Sequence, residues 1–82
     1  MLTELSAAAS KVVGVKQVRR CVESGRATKV FLAQDAEGRV TAPIAALCEE
    51  KGIPVETGFS MTDLGRACGI SVGAAVAATA TE

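Results

Sequence analysis

The sequence predicts an α/β protein in which helices cover both faces of a sheet, a three-layer α/β/α sandwich. Three observations carry that reading. Apolar strand-like runs alternate with helical stripes of about ten residues. The run "KVFLAQ" (Lys29 to Gln34) is continuously apolar at its centre, so its strand needs cover on both sides. The last run, "AAVAATA" (Ala74 to Ala80), is made of small residues, which lets helices pack closely against either face.

The elements follow in order. Leu2, Leu5, Ala9, Val12 and Val13 recur at helical spacing, with Thr3 near the start as a cap. "VVG" at 12–14 either ends this helix or forms a very short strand. Val15, Val18 and Val22 make a second helical stripe, stopped by Gly25. "KVFLAQ" is then a buried strand, closed by the turn-like "DAEGR". Thr41 and Pro43 open a third helix, with Ile44, Leu47 and Cys48 inward and Gly52 at its end. "IPVET" (Ile53 to Thr57) is the next strand, and Pro54 marks it as an edge or a strand entrance. Ser60-Met61-Thr62-Asp63 resembles a capping box and starts a fourth helix. Met61, Leu64 and Cys68 face inward there, and Gly69 ends it.

Eighty-two residues bound the chain to one domain, 1–82. With two Phe and neither Trp nor Tyr, the core is built from Val, Ile, Leu and Ala. Stacking platforms for single-stranded nucleic acid are nearly absent for the same reason. Cys21, Cys48 and Cys68 are widely spaced, and histidine is missing. This argues against a zinc site and against any nucleophile paired with histidine. Neither GxxxxGK[ST] nor GxGxxG occurs. The expectation is therefore a protein without enzymatic activity, metal or cofactor. Free thiols and the lack of a signal-peptide pattern suit the cytoplasm. "GISVGAAVAATA" (Gly69 to Ala80) is too short to span a bilayer as a helix.

Nine basic and nine acidic residues give a net charge of zero, which hides an asymmetry. Residues 11–29 carry Lys11, Lys16, Arg19, Arg20, Arg26 and Lys29 against Glu23 alone, six minus one, or +5. The rest carries three basic and eight acidic residues, or −5. On a helix, Lys16 and Arg20 are four residues apart and stand on one side with Gln17, away from the Val15–Val18–Val22 stripe. Arg19 lies closer to the core boundary. A helix N-terminus is an unfavourable place for cations, so an anionic partner such as phosphate explains them, with Gly14 admitting close backbone approach. An ordinary solvated helix face explains them as well.

The loop in "ACGISVGAA" (Ala67 to Ala75) sets Ile70 and Val72 between glycines. These are core plugs, or an exposed apolar edge for a flat ligand such as an unstacked base. Asp35 and Glu37 follow a buried strand, where ligands of α/β sheets bind; they also suit a plain turn. Glu49 and Glu50 end an exposed helix.

"GVKQVRRCVESG" and "LGRACGISVGAA", with "AQDAEG" and "LCEEKGIPV" between them in order, resemble the kink-turn-binding ribosomal protein family over roughly Leu5 to Ala80. The resemblance implies a mixed four-stranded sheet and binding to a kink-turn, a sharply bent RNA with tandem sheared G·A pairs and a flipped-out nucleotide. It sets Gly14 and Val15 against the RNA backbone and Lys16 and Gln17 at guanine edges. Arg20 is placed on a phosphate or base edge, and Glu37 near the flipped-out nucleotide. Ile70, Ser71 and Val72 pack on loop bases, with Gly73 and Ala74 as support. Many archaeal and eukaryotic members have Asn-Glu in place of Lys16-Gln17 and Arg-Pro in place of Val72-Gly73. This chain is similar to the small bacterial members, which implies a ribosome-associated protein, monomeric when free. Its partner would be ribosomal RNA or a riboswitch, with ribosomal proteins as further partners. Two other readings of the residues stay open: a ribosome-bound protein-interaction scaffold using the "GISVG" loop, and a small nucleotide- or metabolite-binding domain using the Gly14 helix end.

Overall fold

In the computed structural model, which describes residues 2–8 and 10–81, strands and helices alternate along the chain. They are α1 (Leu2–Ala7), β1 (Lys11–Val13), α2 (Val15–Glu23), β2 (Ala27–Leu32), α3 (Gly38–Lys51), β3 (Val55–Glu56), α4 (Met61–Ala67) and β4 (Val76–Ala80). The sheet has the order β1-β4-β2-β3. β4 is antiparallel to both its neighbours, with Val30 opposite Ala78 and Val12 also opposite Ala78, while β2 and β3 run parallel. The sheet is therefore mixed and four-stranded.

The period of two along each strand divides the core. Val30 and Leu32 of β2 join Val76 and Ala78 of β4 beneath Val18, Cys21 and Val22 of α2 and Ile44 and Cys48 of α3. Phe31, Ala33 and Ala77 face the other way and meet Leu5 of α1 and Leu64 of α4. This is the three-layer arrangement expected from the sequence. Val76, Ala77 and Ala78 are fully buried on the inner strand β4, so its small side chains are what let both helix layers approach. Phe31, Ile44 and Leu64 are also fully buried, each contributing about 1.5–3 kcal/mol of apolar burial.

Several expected boundaries are corrected. The N-terminal stripe does not continue as one helix through Val13: Val12 and Val13 pair with Ala78 and Ala77 in β1, so the short-strand alternative holds. Three residues are too few to display strand alternation, and the ladder overrides their accidental helical spacing. Ala9 lies outside the described residues, and Thr3 falls within α1 rather than before it. The third helix starts at Gly38, not at Thr41. The N–H groups of Val40 and Thr41 both donate to the Glu37 carbonyl, at 2.9 and 3.2 Å, which closes the first turn before Pro43. Pro43 sits in the second turn, on the exposed side, and has no N–H to give to the carbonyl of Arg39. β2 spans Ala27–Leu32 rather than Lys29–Gln34, and β3 is only Val55–Glu56, at the sheet edge as Pro54 foretold.

The strand directions gather one set of loops. β1, β2 and β3 end, and β4 begins, at the same edge of the sheet. The helices α2, α3 and α4 all start there, at Gly14, Glu37 and Ser60. Among the described residues, no helix is long and apolar enough to cross a membrane.

Candidate nucleic-acid interface

Gly14 makes the corner from β1 into α2. Its N–H donates to the Val76 carbonyl at 3.0 Å, the last rung of the sheet, and its carbonyl accepts from Val18 N–H at 2.9 Å, the first bond of the helix. Serving both requires φ 102° and ψ 149°, a conformation that side-chain-bearing residues rarely adopt. No side chain caps this helix, and its first turn holds no acid. The N–H groups of Val15, Lys16 and Gln17 thus lack a cap and face outward at the positive end of the helix.

Val15 is half-buried against the α2–α3 core and anchors the corner. Lys16, Gln17 and Arg20 are exposed, as their spacing requires. Arg19 is exposed as well, not at the core boundary. Among the described residues, the ion pairs are Lys29–Glu56 and Arg39–Glu37, so Lys16, Arg19 and Arg20 carry unneutralised charge. Gln17 folds back over Gly14, its Oε1 2.8 Å from where a Gly14 Cβ would stand.

The turn after β2 separates its two acids. Asp35 Oδ1 accepts from Met61 N–H at 2.8 Å and caps α4, so Asp35 is structural. Glu37 is exposed at the start of α3, and its Oε2 accepts from Arg39 Nε at 2.7 Å. Its carboxylate is thus engaged by Arg39, on an exposed surface at the helix start.

The loop after α4 is displayed on a rigid base. Gly69 and Ile70 N–H groups donate to the Arg66 and Gly65 carbonyls, both at 3.0 Å, closing the helix end. The chain then turns back along α4, so closely that a Cβ on Gly65 would overlap the Val72 carbonyl. A Cβ on Gly73 would lie 3.1 Å from Met61 Cβ, and Ala74 N–H donates to the Met61 carbonyl at 3.0 Å. Between these two clamps Ile70, Ser71 and Val72 point outward, Ile70 37% and Val72 69% exposed. They are not core plugs. Gly65 was not foreseen as a site-shaping residue, although a glycine inside "LGRA", where alanine is the better helix former, is the signal for such close approach.

Cys21 and Cys48 are buried and Cys68 is half-buried. Burial pushes the Cys48 and Cys68 thiols above their ordinary value. Protonated thiols inside helix packing are poor nucleophiles. Among the described residues, no cluster of acidic residues and cysteines is arranged to hold a metal ion.

Comparison with known proteins agrees with this architecture. The chain is 47% identical over 68 residues to an RNA-binding protein of Caldanaerobacter subterraneus subsp. tengcongensis, spanning 83% of each chain. It is 42% identical over 67 residues to the RNA-binding protein YbxF of Geobacillus stearothermophilus, spanning 82% of each. A 15.5kD RNA binding protein of Giardia lamblia superposes with a TM-score of 0.86 at 28% identity, covering 99% of this chain and 68% of that one. These relatives are named for RNA binding and not for an enzymatic reaction. With the family model matched over residues 2–82, the chain belongs to the ribosomal protein L7Ae/L30e/S12e/Gadd45 family.

Proposed function

We propose that this protein binds RNA and recognises the kink-turn, stabilising the tightly bent conformer that free RNA populates only in part. One observation carries the reading: an uncapped, cation-bearing helix start stands at the sheet edge where β4 begins, and the clamped loop with exposed Ile70 and Val72 leads into that strand. The first feature suits phosphate and base edges, the second suits unstacked bases. A-form RNA hides its major groove from side chains, but a kink opens it to a helix end.

Within this reading, Gly14 and Val15 lie against the RNA backbone. Lys16 and Gln17 reach the guanine edges of the sheared G·A pairs, and Arg20 holds a phosphate or base edge. Glu37 approaches the flipped-out nucleotide. Ile70, Ser71 and Val72 pack on the loop bases, with Gly73 keeping the loop down. Affinity comes mainly from phosphates and specificity from base edges and the bent shape. A neutral chain with one basic corner is enough. The setting is a bacterial cytoplasm, with ribosomal RNA or a riboswitch as the partner.

The test is a calorimetric titration of a labelled kink-turn RNA at two salt concentrations, beside a control whose G·A pairs are replaced by Watson–Crick pairs. Tight binding to the kink-turn alone supports the proposal. Equal, weak binding to both RNAs defeats it.

A further inference from the structure

We propose that Asp35 is a positioning residue that locks the Glu37 turn to the Ile70–Val72 loop through α4. This rests on the RNA-binding reading for its functional consequence, and on the fold alone for its mechanics. The turn following β2 is held at three points. Ala33 N–H donates to the Ala75 carbonyl at 2.9 Å, Gln34 N–H to the Phe59 carbonyl at 2.8 Å, and Asp35 Oδ1 accepts from Met61 N–H at 2.8 Å. Met61 is also the residue on which the loop rests, through the Ala74 N–H bond to its carbonyl and the close approach of Gly73 to its Cβ. One carboxylate therefore reaches, through a single residue, the loop that presents Val72, while Glu37 stands two residues away in its own turn.

The start of α4 already has a cap of its own, because Ser60 Oγ accepts from Asp63 N–H at 3.1 Å. Asp35 adds a second, from a different part of the chain. A helix needs no such long-range cap merely to form. What the bond adds is registry: alongside the Ala33–Ala75 and Gln34–Phe59 bonds, it ties the Glu37 turn directly to Met61, the residue on which the apolar loop rests. Recognition of a flipped-out nucleotide and its neighbours by these two parts depends on that registry.

The test uses Asp35→Ala, with Asp35→Asn keeping an oxygen acceptor at the same place. In the free protein, amide exchange at Ala74 is expected to accelerate about tenfold in Asp35→Ala, with the Val18 amide at the α2 corner unchanged. Asp35→Asn is expected to restore the Ala74 rate. On kink-turn RNA, Asp35→Ala weakens binding about fivefold in the wild-type and Lys16→Ala backgrounds, and by less than about twofold when Val72→Ala has already removed the loop contact. Gly73→Ala, which presses the same loop from the Met61 side, reproduces this pattern if Asp35→Ala does not fold. Unchanged Ala74 exchange, an Asp35→Asn variant that behaves as Asp35→Ala, or equal losses in the Val72 and Lys16 backgrounds would overturn the proposal. Failure of the wild-type protein to prefer kink-turn RNA overturns the functional reading instead, and the exchange experiment still decides the role of Asp35.

Discussion

The carbonyl oxygen of Val72 occupies the space into which a side chain on Gly65 would project. Gly65 lies inside α4, where alanine is ordinarily the more stable choice by roughly 0.5–1 kcal/mol. Here the obstacle is backbone, which cannot swing aside as a side-chain tip can. Gly65→Ala is therefore expected to destabilise, by about 1–3 kcal/mol, reversing the sign that helix propensity gives. Chemical denaturation of the two proteins reads this directly. A more stable Gly65→Ala variant would mean that the loop does not rest on α4.

Gly14 is a different case, since its constraint is conformational. The nearest obstacle to a Cβ there is the movable end of Gln17. The positive φ remains whatever Gln17 does, and it carries both the sheet's last rung and the helix's first bond. Gly14→Ala is expected to cost about 1–3 kcal/mol in a thermal or chemical melt. The matched Gln17→Ala change, which removes only an exposed side chain, is expected to stay within about 0.5 kcal/mol of wild type.

The charges of α2 are expected to act on RNA rather than on stability. Arg20→Ala is expected to weaken binding similarly across RNA sequences and to reduce the slope of log K against log salt by about 1, if Arg20 meets a phosphate. Lys16→Ala is expected to lower the ratio between kink-turn and control RNA as well. Because both residues are exposed and lack ion-pair partners among the described residues, their thermal midpoints should barely move. Unchanged affinity in the Lys16/Arg20 double variant would remove this helix from the interface.

The thiols set an alkaline limit. Burial raises the values of Cys48 and Cys68 in the folded state, with Lys11 partly opposing the rise at Cys68. A raised value means that the folded state holds its protons more tightly than the unfolded chain. The associated stability is complete below the unfolded thiol value, about 8.5, and is lost as pH rises through the folded values. The thermal midpoint is thus expected to be level near neutrality and to fall in the alkaline range. Cys48→Val, which keeps an apolar side chain of similar size, should flatten that fall. Iodoacetamide at neutral pH should label Cys68 before Cys21 and Cys48, which are buried.

Much of the fold is legible because its periodicities are long or unambiguous. Val15, Val18 and Val22 mark α2, and the helix stops at Gly25 and Gly52 are where they were expected. The apolar centre of β2 and the small residues of β4 announce strands covered twice. The N-terminal segment is not legible in this way. Three residues of β1 hold too little pattern to compete with a chance helical spacing, and pairing with β4 decides their state. Pro43 misled for a related reason: a proline near a helix start is read as its first residue, yet the Glu37 carbonyl had already gathered the turn before it.

At the site, exposure of Lys16, Gln17 and Arg20 follows from sequence alone, because a helix buries one stripe and the valines claim it. The cluster of charge and the glycine corner are local properties of neighbouring residues, and local geometry is what a sequence states most directly. The fate of Ile70 and Val72, and the division of labour between Asp35 and Glu37, are not local. Two apolar residues between glycines suit a core as well as a surface. They are turned outward because the chain beyond them is pulled back onto Gly65 and Met61, and Asp35 is drawn into structure because the start of α4 lies within reach of its carboxylate. Those outcomes depend on contacts between segments far apart along the chain, which only the packed tertiary structure decides.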